Sequence, residues 1–379
     1  MNDTRQICSC CVMDASVPDF YIDASGKCNY CYQFERIAAD APNDERGEKI
    51  LHDLFAKIKI QQRNKRYDVL IGVSGGVDSM FLVDLAVKNG LRPLAVNFDN
   101  GWHSEIAVSN IKCCLEKLNV DLITYVVNYD EMKDLLLSYM KAGLPWADGP
   151  TDIAIVSTLY RVAAKFSIRF IFVGNNFRTE GKQPDLWTHT DSRQIRYIHR
   201  KFGTKPLTTF PNLSPYRLIY YSWFRGIKMI RPFYYIPYDK AAAKKMLQGT
   251  YGWRDYGGHH HESVFTKFVI AYWLPKKFNI DKRKVTLSAQ VRSGLISRSD
   301  ALSNLVLPPY DPDRMEEDKN YVMKKLGINQ IRFREIWENP SHRVTDYPSY
   351  FLFYRKFRKV INFFFSKVFH FKPMMGYDL

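Results

Sequence analysis

The sequence lacks a long hydrophobic run, and this absence excludes one class of protein. No stretch of about 18 apolar residues occurs in the 379-residue chain, so no segment has the length and character of a membrane-spanning helix. The first residues, MNDTRQICSCC, are polar and contain cysteines where the apolar core of a signal peptide would lie. No internal repeat is visible. Because neither a membrane-spanning segment nor a signal peptide is visible, we expect a cytoplasmic protein.

Acidic residues are scarce relative to basic ones. The chain has 55 Lys and Arg against 39 Asp and Glu, a formal net charge of +16. This excess favours an anionic partner, such as ATP, a nucleotide sugar, RNA or an acidic membrane surface, but charge alone does not choose among them. The apolar content of 46% is enough for a core and argues against general disorder. At this length we expect one principal domain with one or two attachments.

Cysteine is also scarce, and its spacing is informative. Seven cysteines in 379 residues exclude a small disulfide scaffold, and metal binding by reduced thiols is favoured over disulfides. Two Cys-x-x-Cys pairs, sixteen residues apart, suit structural zinc held by four thiolates: Cys8, Cys11, Cys28 and Cys31. Cys10 competes with Cys11 as a ligand. Cys113 and Cys114 lie in a predicted helix and are interpreted as packing residues.

Composition and periodicity divide the chain into four regions. They are a zinc-binding module (1–45), a nucleotide-binding domain with a basic, aromatic insertion near 180–230 (46–235), a helical substrate or partner region (236–345) and a basic aromatic tail (346–379). In the second region, short apolar runs alternate with helical segments, which is typical of a parallel sheet with helices on both faces. The sequence thus predicts an α/β, Rossmann-like fold.

The periodicity also gives element bounds. Predicted strands are Asp68–Val73, Pro93–Phe98, Leu122–Val127 and Arg169–Val173. Predicted helices are Ile50–Ile60, Asp78–Asn89, Ser104–Leu118, Thr151–Phe166, Asp239–Leu247 and Glu262–Trp273, with helical character around Val285–Leu305.

A glycine-containing loop follows the first predicted strand. It reads Ser74, Gly75, Gly76, Val77, Asp78 and Ser79. Glycines let backbone amides approach phosphate oxygens, and the following helix N-terminus favours anions. The two serines would donate hydrogen bonds to a pyrophosphate. No lysine follows the glycines, so this is not the loop of kinases and GTPases.

This loop resembles the Ser-Gly-Gly-x-Asp-Ser signature of the PP-loop ATP pyrophosphatase superfamily. The resemblance implies cleavage of ATP between the α and β phosphates and transfer of AMP to a carbonyl or amide-type oxygen. It also assigns Asn97 and Asp99, at the second strand end, to the adenosine side of the site. Gly174, Asn175 and Glu180, after the fourth strand, would complete the pocket and help to hold Mg²⁺. The carboxyl ends of strands are where open α/β sheets bind ligands, although loop capping remains an alternative for each residue.

A third motif spans residues 252–263, with the sequence GWRDYGGHHHES. Together with the paired cysteines and the PP-loop, in this order over roughly residues 5–310, it resembles the N-acetyl sugar amidotransferases of bacterial surface-polysaccharide biosynthesis. The resemblance implies ATP-dependent conversion of an acetamido group, on a nucleotide-linked sugar, to an acetamidino group. Ammonia would come from partners similar to the glutaminase and cyclase subunits of imidazole-glycerol-phosphate synthase. No glutaminase signature occurs in this chain.

Residue roles within this motif follow from their chemistry. His260 or His261, with Glu262, would act as a base or bind substrate, and His259 would contact the substrate. Arg254 would pair with a phosphate or a uronic carboxylate. In the loop, Asp78 and Ser79 join Glu180 as candidate catalytic residues. A capped, solvated helix start is the alternative interpretation of the histidine cluster.

Two rival functions and one open question remain at this stage. Basic and aromatic residues interleave over 190–230, which suits a tRNA-modifying PP-loop enzyme, either a lysidine-type ligase or a thiolase, although we expect no nucleic-acid role. An ATP-bound scaffold is the non-enzyme alternative, but it has no need of the loop serines or Asp78. The tail around Phe363-Phe364-Phe365 would either contact a membrane surface or a partner, or pack on its own domain.

Overall fold

A five-stranded parallel sheet forms the centre of the molecule. The computed structural model describes residues 6–258 and 261–363. The strands are β1 (Val69–Gly72), β2 (Pro93–Asp99), β3 (Asp121–Val126), β4 (Phe170–Phe172) and β5 (Lys228–Ile230). Their order is β3-β2-β1-β4-β5, and every neighbouring pair is parallel. This confirms the predicted α/β fold with a parallel sheet.

The predicted strands agree with the structure apart from one omission. All four predicted strands exist, with ends that differ by at most one residue. The fifth, β5, was missed and lies at the edge of the region interpreted as an insertion. It has only three residues between Gly226 and Pro232, too short a run to show a period of two.

Helices cover both faces of the sheet and form a further layer beside it. They are α1 (Asn29–Asp40), α2 (Glu45–Gln62), α3 (Val77–Lys88), α4 (Glu105–Leu118), α5 (Tyr129–Lys141), α6 (Gly149–Lys165), α7 (Asp185–Thr188), α8 (Ser192–Phe202), α9 (Pro215–Ile219), α10 (Lys240–Tyr251), α11 (Val264–Phe268), α12 (Leu274–Phe278), α13 (Arg283–Arg292), α14 (Arg298–Val306), α15 (Pro312–Leu326), α16 (Gln330–Glu338) and α17 (Phe351–Phe363).

Alternate residues of the strands point into two different cores. Val69 and Ile71 of β1 pack in one core with α2, α3, α4 and α10, whereas Leu70 packs in the other with α6 and α9. All three side chains are buried. A strand that is apolar on both faces is what a sheet covered on both sides requires, which explains the continuous Val-Leu-Ile run.

Strand order reverses between β1 and β4. From β1 the chain proceeds to β2 and β3 on one side, and β4 and β5 lie on the other. In open α/β sheets the crevice for ligands forms at this reversal, outside the carboxyl ends of the strands. The loop that follows β1 and the loop that follows β4 meet there, which places Ser74 and Gly174 at the same edge of the sheet.

Two predicted helical segments are interrupted in the structure, and α2 and α10 are longer than predicted. The predicted helix Glu262–Trp273 begins only at Val264, because Ser263 is its N-cap and its hydroxyl accepts from the amide of Thr266 at 3.3 Å. After α11, a π-helical turn spans Val269–Trp273 and leads into α12. The helical stretch predicted around 285–305 is two helices, α13 and α14, separated by a turn with Gly294 at φ +69°.

The cysteine module and the C-terminal helices share a third core. Cys8, Cys11, Cys28 and Cys31 are buried in one cluster with residues of α5, α8, α11, α15 and α16.

The domain bounds given above remain predictions. Among the described residues, no helix has both the length and the apolar character needed to cross a bilayer. Phe364 and Phe365 of the predicted tail contact lie outside the described residues, as do His259 and His260.

Candidate functional site

The loop after β1 is a compact turn whose conformation depends on its own side chains. Gly75 has φ +78°, and Gly76 is the N-cap of α3. The Ser79 hydroxyl accepts from the amide of Ser74 at 3.3 Å and donates to the carbonyl of Gly76 at 3.0 Å. The hydroxyl of Ser74 accepts from the amide of Gly76 at 3.4 Å. The sequence Ser74 to Ser79 therefore forms a strand-loop-helix turn suited to a phosphate group.

Residues distant in sequence hold this loop in place. The carbonyl of Gly75 accepts hydrogen bonds from Trp253 Nε1 at 2.9 Å and from Asn110 Nδ2 at 3.3 Å. Asn110 also joins the backbone of Arg254, accepting from its amide and donating to its carbonyl at 2.8 Å each. A Cβ atom on Gly75 would lie 2.2 Å from the carbonyl oxygen of Ala107, so only glycine fits there.

These contacts involve the backbone of one residue that was predicted to bind substrate. Arg254 was predicted to bind substrate through its guanidinium, but the contacts seen are made by its backbone, and the side chain is exposed. Its substrate role remains a prediction. Asn110, which sequence reasoning missed, is fully buried and links the 252–263 motif to the loop.

Asp78 is held by two residues of a later segment. Tyr238 donates to Asp78 Oδ1 at 2.6 Å, and Lys240 Nζ lies 2.7 Å from Oδ2. Burial alone would lower the pKa of Lys240, but the carboxylates of Asp78, Glu180 and Glu262 outweigh it and raise the pKa. Burial, followed by the charge of Asp78, raises the pKa of Tyr238. Lys240 is therefore a cation beside the phosphate loop.

Lys240 was not among the residues predicted from the sequence. The helix start at 239 was predicted, and Asp239 does cap α10, accepting from the amides of Ala241 and Ala242. Only the fold shows that the next residue reaches Asp78, because 162 positions separate the pair in the chain.

The loop after β4 closes the other side of this site. A Cβ atom on Gly174 would lie 3.3 Å from the Cβ of Asp78, so the two predicted residues are in contact. Asn175 is exposed at the strand end. The backbone of Glu180 turns back onto Asn176 and also accepts from the hydroxyl of Thr286 at 3.2 Å. The structure thus brings Gly174, Asp78 and the Glu180 loop together.

At the end of β2, the two predicted adenosine-side residues differ in their surroundings. Asn97 is 7% exposed, and its Oδ1 has no hydrogen-bond partner among the described residues. Asp99 accepts from the amide of Gly101 at 2.8 Å, which is a loop-capping contact. Neither residue lines the cleft described below.

The described part of the histidine motif pairs with the loop after β2. Glu262 accepts from the amide of Ser104 at 2.9 Å through its carbonyl, and the amide of Val264 donates to the carbonyl of Trp102 at 3.0 Å. Between them, Ser263 forms a β-bridge with His103. The Nδ1 of His261 accepts from the amide of Gly258 at 2.9 Å. The motif therefore closes over the carboxyl ends of the strands.

A cleft of about 1250 Å³ joins these parts. It opens between the strand ends, the motif and the N-terminal end of α13. Predicted site residues that line it are Ser74, Asn175, Glu180, His261 and Glu262. Gly76 is close by, since a Cβ atom on it would lie 3.1 Å from the hydroxyl of Tyr256 and 3.7 Å from Glu262 Oε1. The loop and the motif thus border one space, large enough for a nucleotide together with a second substrate.

The four cysteines of the N-terminal module form a metal-binding geometry. Their sulfur atoms all lie within 4.8 Å of one another and are buried. The sulfur–sulfur distances are 3.8 Å for Cys8–Cys31, 3.8 Å for Cys11–Cys28 and 3.6 Å for Cys28–Cys31. Four sulfurs at about 2.3 Å from a tetrahedral zinc ion lie about 3.8 Å apart, so the residues fit such an ion.

The same cluster decides between two candidate ligands. Cys10 is exposed and is not part of the cluster, so the geometry favours Cys11 over Cys10 as a ligand. Arg292 donates to the sulfurs of Cys31 at 3.3 Å and Cys11 at 3.4 Å. Hydrogen bonds from Cys28 and Cys31, with the charge of Arg292, lower the pKa of Cys11. A cation beside the cluster offsets the negative charge that four thiolates bring to a metal ion.

Comparisons with known proteins give one family match and several distant structural similarities. Residues 262–360, about a quarter of the chain, match the family model "LPS biosynthesis protein WbpG-like, C-terminal domain". A search of curated proteins found no significant match. Among solved structures, the NH3-dependent NAD synthetase from Campylobacter jejuni is 14% identical with a TM-score of 0.31, over 75% of this chain and 97% of that one.

Two further solved structures show a similar degree of likeness. NMN synthetase from Francisella tularensis is 14% identical, with a TM-score of 0.29 over 62% of this chain and 94% of that one. The U34-tRNA thiolase NcsA from Methanococcus maripaludis is 17% identical, with a TM-score of 0.30 over 67% and 82%. TM-scores this low support no inference about activity. The family match confirms the resemblance inferred from the motifs: residues 262–360 are similar to the C-terminal domain of the WbpG-like proteins of lipopolysaccharide biosynthesis.

Proposed function

We propose that this protein is an ATP-dependent amidotransferase of surface-glycan biosynthesis. It would convert the acetamido group of a nucleotide-linked sugar to an acetamidino group, with release of AMP and pyrophosphate. One observation carries the proposal: the 252–263 motif folds onto the phosphate loop through Trp253 and Asn110, so that both border one cleft. A site with a phosphate loop on one side and a substrate motif on the other suits transfer of AMP between them.

The chemistry requires activation because an amide is a poor electrophile. Attack of the amide oxygen on the α-phosphorus of ATP would expel pyrophosphate, and loss of the amide N–H proton to solvent would give a neutral O-adenylyl imidate. Ammonia would then attack the imidate carbon, and AMP would leave with the electron pair of the C–O bond. No protein nucleophile is needed, so the protein contributes orientation and electrostatic stabilisation.

Residues of the phosphate loop have defined roles in this proposal. The amides of Gly75 and Gly76 and the N-terminus of α3 would bind the pyrophosphate oxygens. Lys240 places a cation beside Asp78 and would stabilise charge that develops on the leaving pyrophosphate. Asp78 and Glu180 both raise the pKa of Lys240 by their charge, and they would hold Mg²⁺, which would neutralise phosphate charge.

The four-cysteine cluster has a separate, structural role. Zinc held by Cys8, Cys11, Cys28 and Cys31 would have no open position for a substrate. We propose that it stabilises the N-terminal module against the C-terminal helices. Ammonia would come from a glutaminase and cyclase-like partner, and a cytoplasmic location would give access to nucleotide sugars.

RNA is the alternative substrate, and the surface formed by residues between Asp191 and Asp239 supports this alternative. No Asp or Glu occurs between Asp191 and Asp239, and aromatic side chains there are exposed: Tyr216, Tyr220, Trp223 and Phe224. Basic surfaces with exposed aromatic rings are typical of single-stranded RNA binding.

One experiment distinguishes the sugar-modifying function from the RNA-modifying function. Protein, Mg·ATP, ammonium and a panel of UDP-linked N-acetyl sugars are incubated, and products are analysed by mass spectrometry. A sugar lighter by the difference between an oxygen atom and an NH group, formed with AMP, supports the proposal. AMP release only on addition of tRNA, with unchanged sugars, would contradict it.

A further inference from the structure

Asp148 places a buried carboxylate in the wall of the cleft. It is the N-cap of α6 and is 2% exposed, and it lines the same cleft as Ser74 and Glu262. Its Oδ2 accepts from the hydroxyl of Thr266 at 2.6 Å, whereas Oδ1 has no hydrogen-bond partner within the described residues. A buried carboxylate oxygen without a partner is costly, so its retention calls for a ligand or a chemical role.

The hydrogen bond to Thr266 connects Asp148 to the family motif. Thr266 also shares a hydrogen bond with the hydroxyl of Ser263 at 2.9 Å, and Ser263 follows Glu262 directly. The carboxylate is thereby oriented by the same segment that pairs with the loop after β2.

The charged neighbours of Asp148 lie on α6 and at the start of α13. Asp152 accepts from Trp146 Nε1 at 2.7 Å, and Lys282 Nζ lies 3.9 Å from the centroid of that indole ring. Burial, with Asp152 beside it, raises the pKa of Asp148 to about 7, against the opposing effects of the Thr151 and Thr266 hydroxyls and of Lys282. Burial lowers the pKa of Lys282 to about 8, although Asp152, Glu180 and Asp148 oppose this.

The proposed reaction needs a proton acceptor at its second step. Ammonia in water near neutral pH is mostly ammonium, which has no lone pair to attack carbon. The acetamidino product is a cation with three hydrogens on its two nitrogens. The neutral imidate has no hydrogen on nitrogen, so one ammonia molecule supplies all three. One proton, the fourth of ammonium, must therefore leave before the C–N bond forms.

Building on the proposed amidotransfer, we propose that Asp148 binds ammonium in the cleft and accepts this proton. Proton transfer from ammonium to Oδ1 gives a neutral carboxylic acid and ammonia. Ammonia donates its lone pair to the imidate carbon as the C–O bond breaks, and AMP leaves with that electron pair. Asp148 then returns its proton to solvent, and its carboxylate faces the amidinium cation that has formed.

Replacing the carboxylate by an amide of the same shape tests this role. In Asp148→Asn we expect kcat/KM for ammonium to fall by about 100-fold, the lower range for loss of a general base. Hydroxylamine enters as a neutral amine near neutral pH, so its kcat/KM should change by less than about threefold in the same variant. Hydroxylamine turnover also shows that the variant is folded, so each nucleophile serves as the control for the other.

The pH dependence of the unmodified protein provides a second test that needs no variant. If Asp148 takes the proton, kcat/KM for total ammonia should level off above a pH of about 7, where this carboxyl is deprotonated. A rise of about tenfold per pH unit continuing through pH 8 would overturn the role, because it would show that only free ammonia reacts.

The outcomes distinguish this inference from the proposed function. Equal losses with both nucleophiles, or unchanged ammonium kinetics in Asp148→Asn, would overturn the role of Asp148 while sugar conversion by the unmodified protein stands. Absence of conversion with either nucleophile in the unmodified protein would overturn the proposed function and this inference with it.

Discussion

Asp78 shows how one residue depends on contacts that only the fold provides. Its carboxylate is bound by Tyr238 and Lys240, which arrive from the segment after β5. The loop sequence pointed to Asp78, but the cation that pairs with it belongs to no local motif. The sequence therefore predicted which loops form the candidate site. It did not predict which cation pairs with Asp78.

A pair of lysines on α10 tests the role assigned to Lys240. In Lys240→Met we expect ATP–pyrophosphate exchange to fall by about 100-fold, because a preorganised cation beside the leaving pyrophosphate is lost. Lys244, one turn later on the same helix, pairs with Asp255 instead and is the matched control. Lys244→Met should exchange at nearly the original rate. Equal effects of the two substitutions would contradict the assignment.

At the scale of elements, α13 joins the cysteine module to the cleft. On one face, Lys284 binds Asp14 at 2.5 Å, and Arg292 contacts the cysteine sulfurs. On another, Gln290 and Ser293 donate to the carbonyls of Thr179 and Arg178 at 3.1 Å each. Thr286 reaches the carbonyl of Glu180 in the same way. The Glu180 loop is thus anchored on a helix that also supports the metal cluster.

Removing the guanidinium of Arg292 from α13 should lower the stability of the protein. In Arg292→Met we expect the free energy of unfolding to fall by about 1.5–3 kcal/mol, the usual range for hydrogen bonds to charged groups. The matched control is Arg332→Met, whose exposed ion pair with Glu335 should change stability by less than about 0.5 kcal/mol. Urea unfolding of the metal-loaded proteins measures both. Similar losses for the two variants would contradict a specific role for Arg292.

Sequence patterns predicted some elements better than others for physical reasons. The strands β1, β2 and β4 were predictable because they are buried apolar runs bounded by turns, and the helix after the phosphate loop because it follows such a strand. The edge strand β3 is more exposed, but it is also a short apolar run. β5 is too short to show a period, and the π-helical turn at Val269–Trp273 has no signature in composition. The sequence prediction placed Glu262 in a helix. In the structure the helix begins after Ser263, whose hydroxyl caps it by accepting from the amide of Thr266.

At the scale of the whole molecule, the cysteine module is part of one core with the C-terminal helices. In Cys11→Ser we expect loss of bound metal and a lower melting temperature, because a structural site contributes its binding free energy to folding. Cys10→Ser is the matched control, since Cys10 is exposed beside the cluster and outside it. Elemental analysis and thermal unfolding measure the two effects. Full metal content in Cys11→Ser would contradict the assignment of the ligands.

The central claim is that ATP activates an oxygen atom of the substrate, and an isotope label tests it most directly. A UDP-linked N-acetyl sugar with ¹⁸O in its acetamido carbonyl is incubated with the protein, Mg·ATP and ammonium, and the phosphate products are analysed by mass spectrometry. The account predicts that the label leaves the sugar and appears in the phosphate of AMP, with unlabelled pyrophosphate. Label retained in the sugar, or found in pyrophosphate or water, would contradict it.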